Sequence, residues 1–300
     1  MPRPAHDVPA HDVPAHDVPA HDVPAHNVDA ATVAGFGDEW SRFDFSTHSP
    51  EEIGRVFEGY FRIFPWQSLP PSARGFDAGS GTGRWARLVA PRVGALHCVD
   101  ASEDALAVCK RNLAGLDNVR FHHASVGALP FDDASMDFGY SLGVLHHVPD
   151  TEAALRECVR VLKVGAPFLL YLYYALDNRP WPFRALWRAS DLVRAGVSRL
   201  PMPARYAVSQ ALAAGVYWPL ARSSRLLERV GLDVGSVPLS AYRDRTFYAM
   251  RTDALDRFGT RLEKRYTRAE MDRMMRGAGL RDVSFSDAIP FWTAVGYRER

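Results

Sequence analysis

Residues 75–84 read Gly75-Phe76-Asp77-Ala78-Gly79-Ser80-Gly81-Thr82-Gly83-Arg84. A short apolar strand runs into three glycines at alternate positions, and a helix-like segment, Trp85 to Val89, follows. Such a strand–loop–helix junction lies at the carboxyl edge of an open α/β sheet, where these sheets bind ligands. Glycines at 79, 81 and 83 accept positive φ and let backbone approach a ligand closely. Their spacing separates the ligand classes. The dinucleotide fingerprint needs a glycine at position 84, where Arg84 stands, and the Gly-Lys-Ser/Thr of a P-loop is absent. Asp77 would meet a pyrophosphate with like charge, but suits a ligand that carries an ammonium or sulfonium. The next strand ends in Cys98-Val99-Asp100-Ala101-Ser102. A carboxylate there, about twenty residues beyond the first glycine, is placed to accept from two ribose hydroxyls.

Further along, strands are expected at Gly75–Ala78, Ala95–Val99, Val119–His123, Phe138–Leu142 and Phe168–Tyr174, with helix-like segments between them. That alternation means βαβ units and a parallel sheet. The clearest helix runs from Thr151 to Lys163, follows Asp150, sets Ala154, Leu155, Cys158 and Leu162 on one face, and stops at Gly165. Ser49-Pro50-Glu51-Glu52 and Thr267-Arg268-Ala269-Glu270 have the form of helix-opening caps. Two short strands, around Val283–Phe285 and Trp292–Gly296, are expected to finish the chain.

Taken in order, Asp77 to Gly83, Val99-Asp100, Ala128-Leu129-Pro130-Phe131-Asp132, Ser141-Leu142-Gly143-Val144-Leu145-His146-His147-Val148 and Leu162-Lys163-Val164-Gly165 resemble the class I S-adenosylmethionine-dependent methyltransferases. Within these the chain is most similar to the ubiquinone/menaquinone-type group of small-molecule methyltransferases. The resemblance covers residues 75–174, with a looser fit over 263–300. It implies a Rossmann-like, doubly wound, mostly parallel sheet of seven strands, α/β in class, with a helical lid inserted after the fifth strand. It implies S-adenosylmethionine as cofactor. Asp77, Gly79, Ser80, Gly81 and Gly83 would hold its methionine part, and Asp100 with Ala101 the ribose. Ser125 and Val126 would flank the adenine, and Ser141 and Leu142 would lie beneath the methionyl chain. Many relatives carry an acid where Ser125 stands, so adenine recognition is expected to be weaker here.

A sulfonium is already a strong methyl donor, so the protein must mainly hold a nucleophile in line with the methyl group. A base is needed where the acceptor is a hydroxyl or an acidic carbon. His146 and His147 follow the fourth strand at the same sheet edge and are the candidates, because the pKa of histidine suits the task. The competing reading gives one of them a structural hydrogen bond in the loop before Asp150. Trp40 is read as a packing residue, with closure over the substrate as the alternative. No metal-ligand constellation is legible.

Between residues 175 and 266 lies an insert that the sheet does not require, and substrate choice is expected to reside there. Residues 178–229 hold nine Arg against Asp191 and Glu228, interleaved with Trp181, Phe183, Trp187, Tyr206, Tyr217 and Trp218. Phe183, Leu186, Ser190, Val193 and Val197 fall on one helical face. Two readings stay open: a peripheral membrane contact through 178–229 serving a lipid-like acceptor, or an ordinary apolar lid over a small-molecule acceptor with a solvated arginine rim. An RNA methyltransferase is a weaker alternative, since no RNA-binding module is recognisable and only Lys110, Lys163 and Lys264 are lysines. A cofactor-binding regulatory or scaffold protein without transfer activity is the alternative from another class.

The whole chain bounds these readings. Its 300 residues, 47% hydrophobic and 24% charged, suit a globular protein with a net charge of +1, and that balance argues against DNA as partner. Cys98, Cys109 and Cys158 have no Cys-x-x-Cys partner and suit a reducing cytoplasm. The longest apolar run, Gly165 to Leu176, is too short to span a bilayer. Pro-Ala-His-Asp-Val repeats from Pro4, Pro9, Pro14 and Pro19, and the copy from Pro24 reads Pro-Ala-His-Asn-Val. Proline at every fifth position forbids a helix, so residues 1–30 are expected to form a disordered tail. A helical collar over 31–74 should follow, with order beginning near Phe36. Then come the core at 75–174, the lid at 175–266 and a closing helix with two strands at 267–300.

Overall fold

The structure, a computed structural model, describes residues 27–44, 49–235 and 237–300. The chain runs α1 (Ala30–Arg42), α2 (Pro50–Phe61), β1 (Arg74–Ala78), α3 (Ala86–Val89), β2 (Ala95–Asp100), α4 (Glu103–Asn112), β3 (Val119–His123), β4 (Phe138–Leu142), α5 (Thr151–Val161) and β5 (Pro167–Tyr171). Next come α6 (Trp181–Val197), α7 (Met202–Leu212), α8 (Trp218–Arg229), α9 (Phe247–Gly259), α10 (Arg268–Gly277), β6 (Leu280–Phe285) and β7 (Thr293–Arg298).

The seven strands form one sheet in the order β3-β2-β1-β4-β5-β7-β6. The first five are parallel, and β7 runs antiparallel between β5 and β6. This is the mostly parallel, doubly wound sheet that the sequence predicts, with a terminal antiparallel hairpin. Connections from β1 go one way to β2 and β3, then cross back to β4, so the β1/β4 boundary is the topological switch point. Asp77 there pairs in register with Cys98 on one side and Tyr140 on the other.

Alternation along the strands splits the core into two layers. Phe168 and Leu170 of β5 pack with Phe76, Leu155 and Met271 on one side of the sheet. Leu169 packs on the other side with Phe138, Tyr140, and Phe57 and Phe61 from α2. Both caps form: Ser49 accepts from the Glu52 N–H, and Thr267 with Glu270 makes a reciprocal capping box. Helices α6 to α9 lie between β5 and α10 and enclose a third cluster, Val197, Ala213, Tyr217, Ala221, Met250, Ala254 and Phe258.

One expectation needs correction. Residues 1–26 of the repeat tail lie outside the described residues, but Asn27 to Ala30, assigned to that tail, are folded. Order begins before Phe36 because Asp29 accepts from the Thr32 N–H at 2.8 Å and opens α1 at Ala30. Asn27 adopts φ of 61° and holds Asp150 by both backbone groups, donating to its carbonyl at 2.7 Å and accepting from its N–H at 2.6 Å. Aspartate has no donor for that pair, and asparagine tolerates the left-handed region better than most residues. The stripe that the sequence sets on one face of α6 divides. Phe183 and Val197 turn inward, but Leu186 and Val193 are exposed. The helix is instead held by Trp187, Asp191 and Arg194, whose partners come from residues 257–265.

Candidate functional site

Beyond β1 the chain turns back onto β2. Gly79 and Ser80 both donate to the Val99 carbonyl, at 2.8 and 2.9 Å. Gly79 has φ of +85°, and a Cβ there would lie 2.4 Å from Val144, so no other residue fits. A Cβ on Gly83 would lie 2.7 Å from the Cys109 sulfur; its role is to seat the loop against α4. Asp100, at the end of β2, fixes the loop from the other side. One carboxylate oxygen accepts from the Gly81 N–H at 2.8 Å and the other from the Ser102 N–H at 2.9 Å. Each oxygen keeps a second lone pair for a ligand hydroxyl.

These groups wall a narrow cavity of about 140 Å³ at the switch point. Of the residues singled out in the sequence, Gly79, Ser80, Gly81, Asp100, Ala101, Ser125, Val126, Leu142 and His147 line it. Asp77, Gly83, Ser141 and His146 do not. Ser141 is buried and donates to the Ala78 carbonyl at 2.8 Å, bracing β1 against β4. Asp77 is buried with one carboxylate oxygen unpartnered. Burial pushes its pKa up to about 7, and Asp100 adds to the rise, while the Tyr140 hydroxyl and Arg84 oppose it. Burial likewise raises the Asp100 carboxyl, against the Ser102 and Gly81 N–H groups.

The arrangement fits S-adenosylmethionine. The Ser80 hydroxyl lines the cavity, buried and without a hydrogen-bond partner, which marks a ligand position. Asp100 can take ribose hydroxyls, and two buried carboxyls raised by desolvation gain from a cationic ligand. Ser125 keeps its hydroxyl on the Gly127 N–H at 3.0 Å.

The two histidines separate. His146 is fully buried behind the wall, packed on His147 (3.9 Å between ring centroids) and Tyr173 (4.0 Å), with no partner for either ring nitrogen. His147 lines the cavity, with Phe36 edge-on at 4.9 Å. Its Nδ1 lies 2.7 Å from the Leu262 carbonyl, which can only accept, so Nδ1 carries the proton and Nε2 the lone pair. Nε2 is buried and unpartnered. Burial lowers the His147 pKa, partly offset by the charge of Asp256 and by the bond to Leu262.

A second, larger chamber of about 510 Å³ opens beside the first, and Trp40, Tyr60, Arg84, Trp85, Tyr171, Tyr173 and Asp256 line both. Tyr60 stands edge-on to Tyr171 and Trp85, at 5.0 and 5.2 Å. The Tyr173 hydroxyl bonds the Asp256 carboxylate, and Arg265 lies 5.1 Å above the Tyr173 ring. Trp40 therefore stands at the junction, with the Arg84 guanidinium 5.6 Å over its ring. Sequence reading missed Tyr171 and Tyr173, although strand alternation at a carboxyl edge sets them on one side. It also missed Asp256, for which the insert offers no local signal. Asn27 and Val28 at the cavity rim were missed as well, and the one break in the pentapeptide repeat was their signal.

Residues 76–170 match a family model described as "Methyltransferase domain". The uncharacterized methyltransferase YcgJ of Bacillus subtilis is 36% identical over 107 residues, which cover 35% of this chain and 42% of that protein. Demethylmenaquinone methyltransferase of Staphylococcus aureus is 38% identical over 108 residues, 35% of this chain and 44% of that protein. The chain thus spans less than half the length of these curated relatives. The crystal structure of the Bacillus subtilis YcgJ protein superposes with a TM-score of 0.42 at 18% identity, covering 84% of this chain and 100% of that one. At that score the strand order, not the superposition, carries the fold assignment. The matched segment, the sheet order and the fit of the cavity agree: the chain carries a class I S-adenosylmethionine-dependent methyltransferase domain, with S-adenosylmethionine as its cofactor.

Proposed function

We propose that this chain is a methyltransferase whose small-molecule acceptor sits in the larger chamber and gives up a proton to His147. The observation that carries the reading is His147, which lines the cofactor cavity and whose Nε2 is buried without a hydrogen-bond partner. Its tautomer is set by Leu262, so the lone pair is on the side away from that carbonyl. Bound S-adenosylmethionine supplies an electrophilic methyl group on a sulfonium.

The chain's own groups then do the rest. Gly79 to Gly81 and Asp100 hold the donor, and Asp77 supplies negative charge below the loop. At the junction with the cofactor cavity Tyr60, Trp85, Tyr171 and Tyr173 offer a planar acceptor body a surface to pack on, while Arg84 and Asp256 there, and Arg245, Arg265 and Asp253 farther along the chamber, would meet its polar groups. An acceptor with a hydroxyl or an acidic carbon would give its proton to His147 Nε2 as it takes the methyl group that the bound cofactor would supply, the cofactor keeping the carbon–sulfur bonding pair as a neutral thioether. The relative in Staphylococcus aureus is named for demethylmenaquinone; a small acceptor with an aromatic body and polar substituents rests, for this chain, on the mixed aromatic and charged lining of the chamber.

The test is transfer of a labelled methyl group into an extract of small molecules by the wild-type chain and by His147→Gln. The account expects label to accumulate with the wild type and to fall about 10²- to 10⁴-fold in the variant, with cofactor binding retained. Equal labelling by both proteins would remove His147 from the reaction.

A further inference from the structure

Helix α6 is packed inside out. Its inward face is ionic: Trp187 lies between the guanidinium groups of Arg257 and Arg265, at 4.8 and 4.7 Å, and Asp191 pairs with Arg194 at 2.6 Å and Arg257 at 3.3 Å. Its outward face carries Trp181, Leu186, Leu192 and Val193, which are 77%, 56%, 77% and 50% exposed. At 3.6 residues per turn these four span about 140° of the helix. Arg184 and Arg188 follow one rim of that stripe, both exposed and, among the described residues, with side chains in no ion pair or hydrogen bond. A helix at a water surface ordinarily does the reverse, and a continuous exposed apolar face marks an interaction site.

Charge selects the partner. Residues 178–229 hold nine arginines against two acids, and Asp191 is already engaged on the inward side. A second copy of the chain would set Arg184 and Arg188 against their own kind across a two-fold interface. An apolar stripe with tryptophan at its end and arginine along its rim is what an interfacial helix needs. We propose that the outer face of α6 docks on an anionic lipid surface, Trp181 and Leu192 entering the acyl boundary and Arg184 and Arg188 meeting head-group phosphates. Among the described residues no helix is long and apolar enough to cross a membrane, so the contact lies on the surface.

Docking also orients the chamber. The Arg179 guanidinium lies 5.5 Å from the Phe183 ring of α6 and 5.9 Å from that of Phe291. Arg179, Phe291 and the 54%-exposed Ile289 line the chamber. Its rim therefore borders the first turn of α6 and would lie close to the docked surface. The docking stands without the transfer reaction; that an acceptor enters from lipid rests on the function proposed above.

The test is co-sedimentation of the full chain with phosphatidylcholine vesicles, with and without phosphatidylglycerol, with cofactor binding and methyl transfer measured separately. The chain should bind the anionic vesicles, less so as salt rises. Arg184→Gln and Arg188→Gln should each weaken binding about fivefold. The double change Trp181→Ser with Leu192→Ser should weaken it at least about tenfold. Because all four side chains point outward, the thermal midpoint and cofactor binding should not move. No preference for anionic vesicles would overturn the proposal. So would a concentration-dependent dimer that the Trp181→Ser, Leu192→Ser chain loses while vesicles leave the wild type in solution. Vesicle binding without any methyl transfer would sink the function and leave the docking intact.

Discussion

The core at 75–174 and the insert at 175–266 are held together by opposite means. In the core, apolar side chains alternate across β5, Phe168 and Leu170 on one side and Leu169 on the other, and all three are fully buried. In the insert, α6 meets its neighbours through buried charge. Glu263, 2% exposed, bridges Arg257 and Arg265 at 2.7 and 2.8 Å, and Asp191 joins Arg257 to Arg194. Burial by alternation needs only neighbours in sequence, so the core is specified locally and is the part that relatives share. The ionic clamp needs partners some sixty to seventy residues away, and it releases the apolar face of α6 for other use. The strands at the cofactor cavity thus belong to one kind of packing and the cap above them to another.

The comparison breaks first at His147, where core and insert meet through Leu262. His147→Gln should cost turnover about 10²- to 10⁴-fold, the range for losing a general base. The pH profile sharpens this. Burial depresses the His147 pKa, so Nε2 stays unprotonated through neutrality. Turnover should be level from neutral pH down past the ordinary histidine value, then fall as pH drops through the depressed one. A decline beginning above that ordinary value would place the base elsewhere.

The next largest effects are on stability. Phe168→Ala should cost about 3–5 kcal/mol as a core cavity, and cofactor affinity and fold should fail together. Glu263→Gln leaves two buried guanidinium groups under-compensated and should cost a comparable 3–5 kcal/mol or so locally. It should loosen the cap, seen as faster amide exchange in α6 and lost transfer, with cofactor affinity unchanged. If both variants melt in one concerted step with equal loss of cofactor binding, core and cap are a single unit.

Much of the core was legible because its signals are local. The bounds of the first four strands, the glycine spacing and Asp100 follow from alternation, backbone conformation and distance along the chain, whereas the fifth strand ends at Tyr171, short of the expected Tyr174. His146 and His147 are indistinguishable as neighbours in sequence; only the Leu262 carbonyl, contributed from the insert, sets one on the cavity and leaves the other behind it. Which way the apolar stripe of α6 faces was left open for the same reason, since periodicity groups Leu186 with Val193 while only the distant Arg257 and Arg265 draw Trp187 and Asp191 inward. At the N-terminus the repeat suggested an inert tail, yet Asn27 interrupts it at the position that holds Asp150. Removing residues 1–26 should leave cofactor affinity unchanged. Removing 1–30 also deletes the Asp29 cap and the Asn27 clasp and should weaken it by about 1 kcal/mol. Identical affinities for the two truncations would return Asn27 to the tail.

The assignment of the glycine loop and Asp100 to S-adenosylmethionine, and not to a dinucleotide, is the proposal on which the reaction proposed above depends. Calorimetric titration of the wild-type chain and of Asp100→Ala, each with S-adenosylmethionine and with NAD, tests it most directly. The account predicts that S-adenosylmethionine binds the wild type, that NAD does not, and that Asp100→Ala loses about 1–3 kcal/mol, as charged hydrogen bonds to ribose do. Unchanged affinity in Asp100→Ala, or binding of NAD in its place, would contradict it.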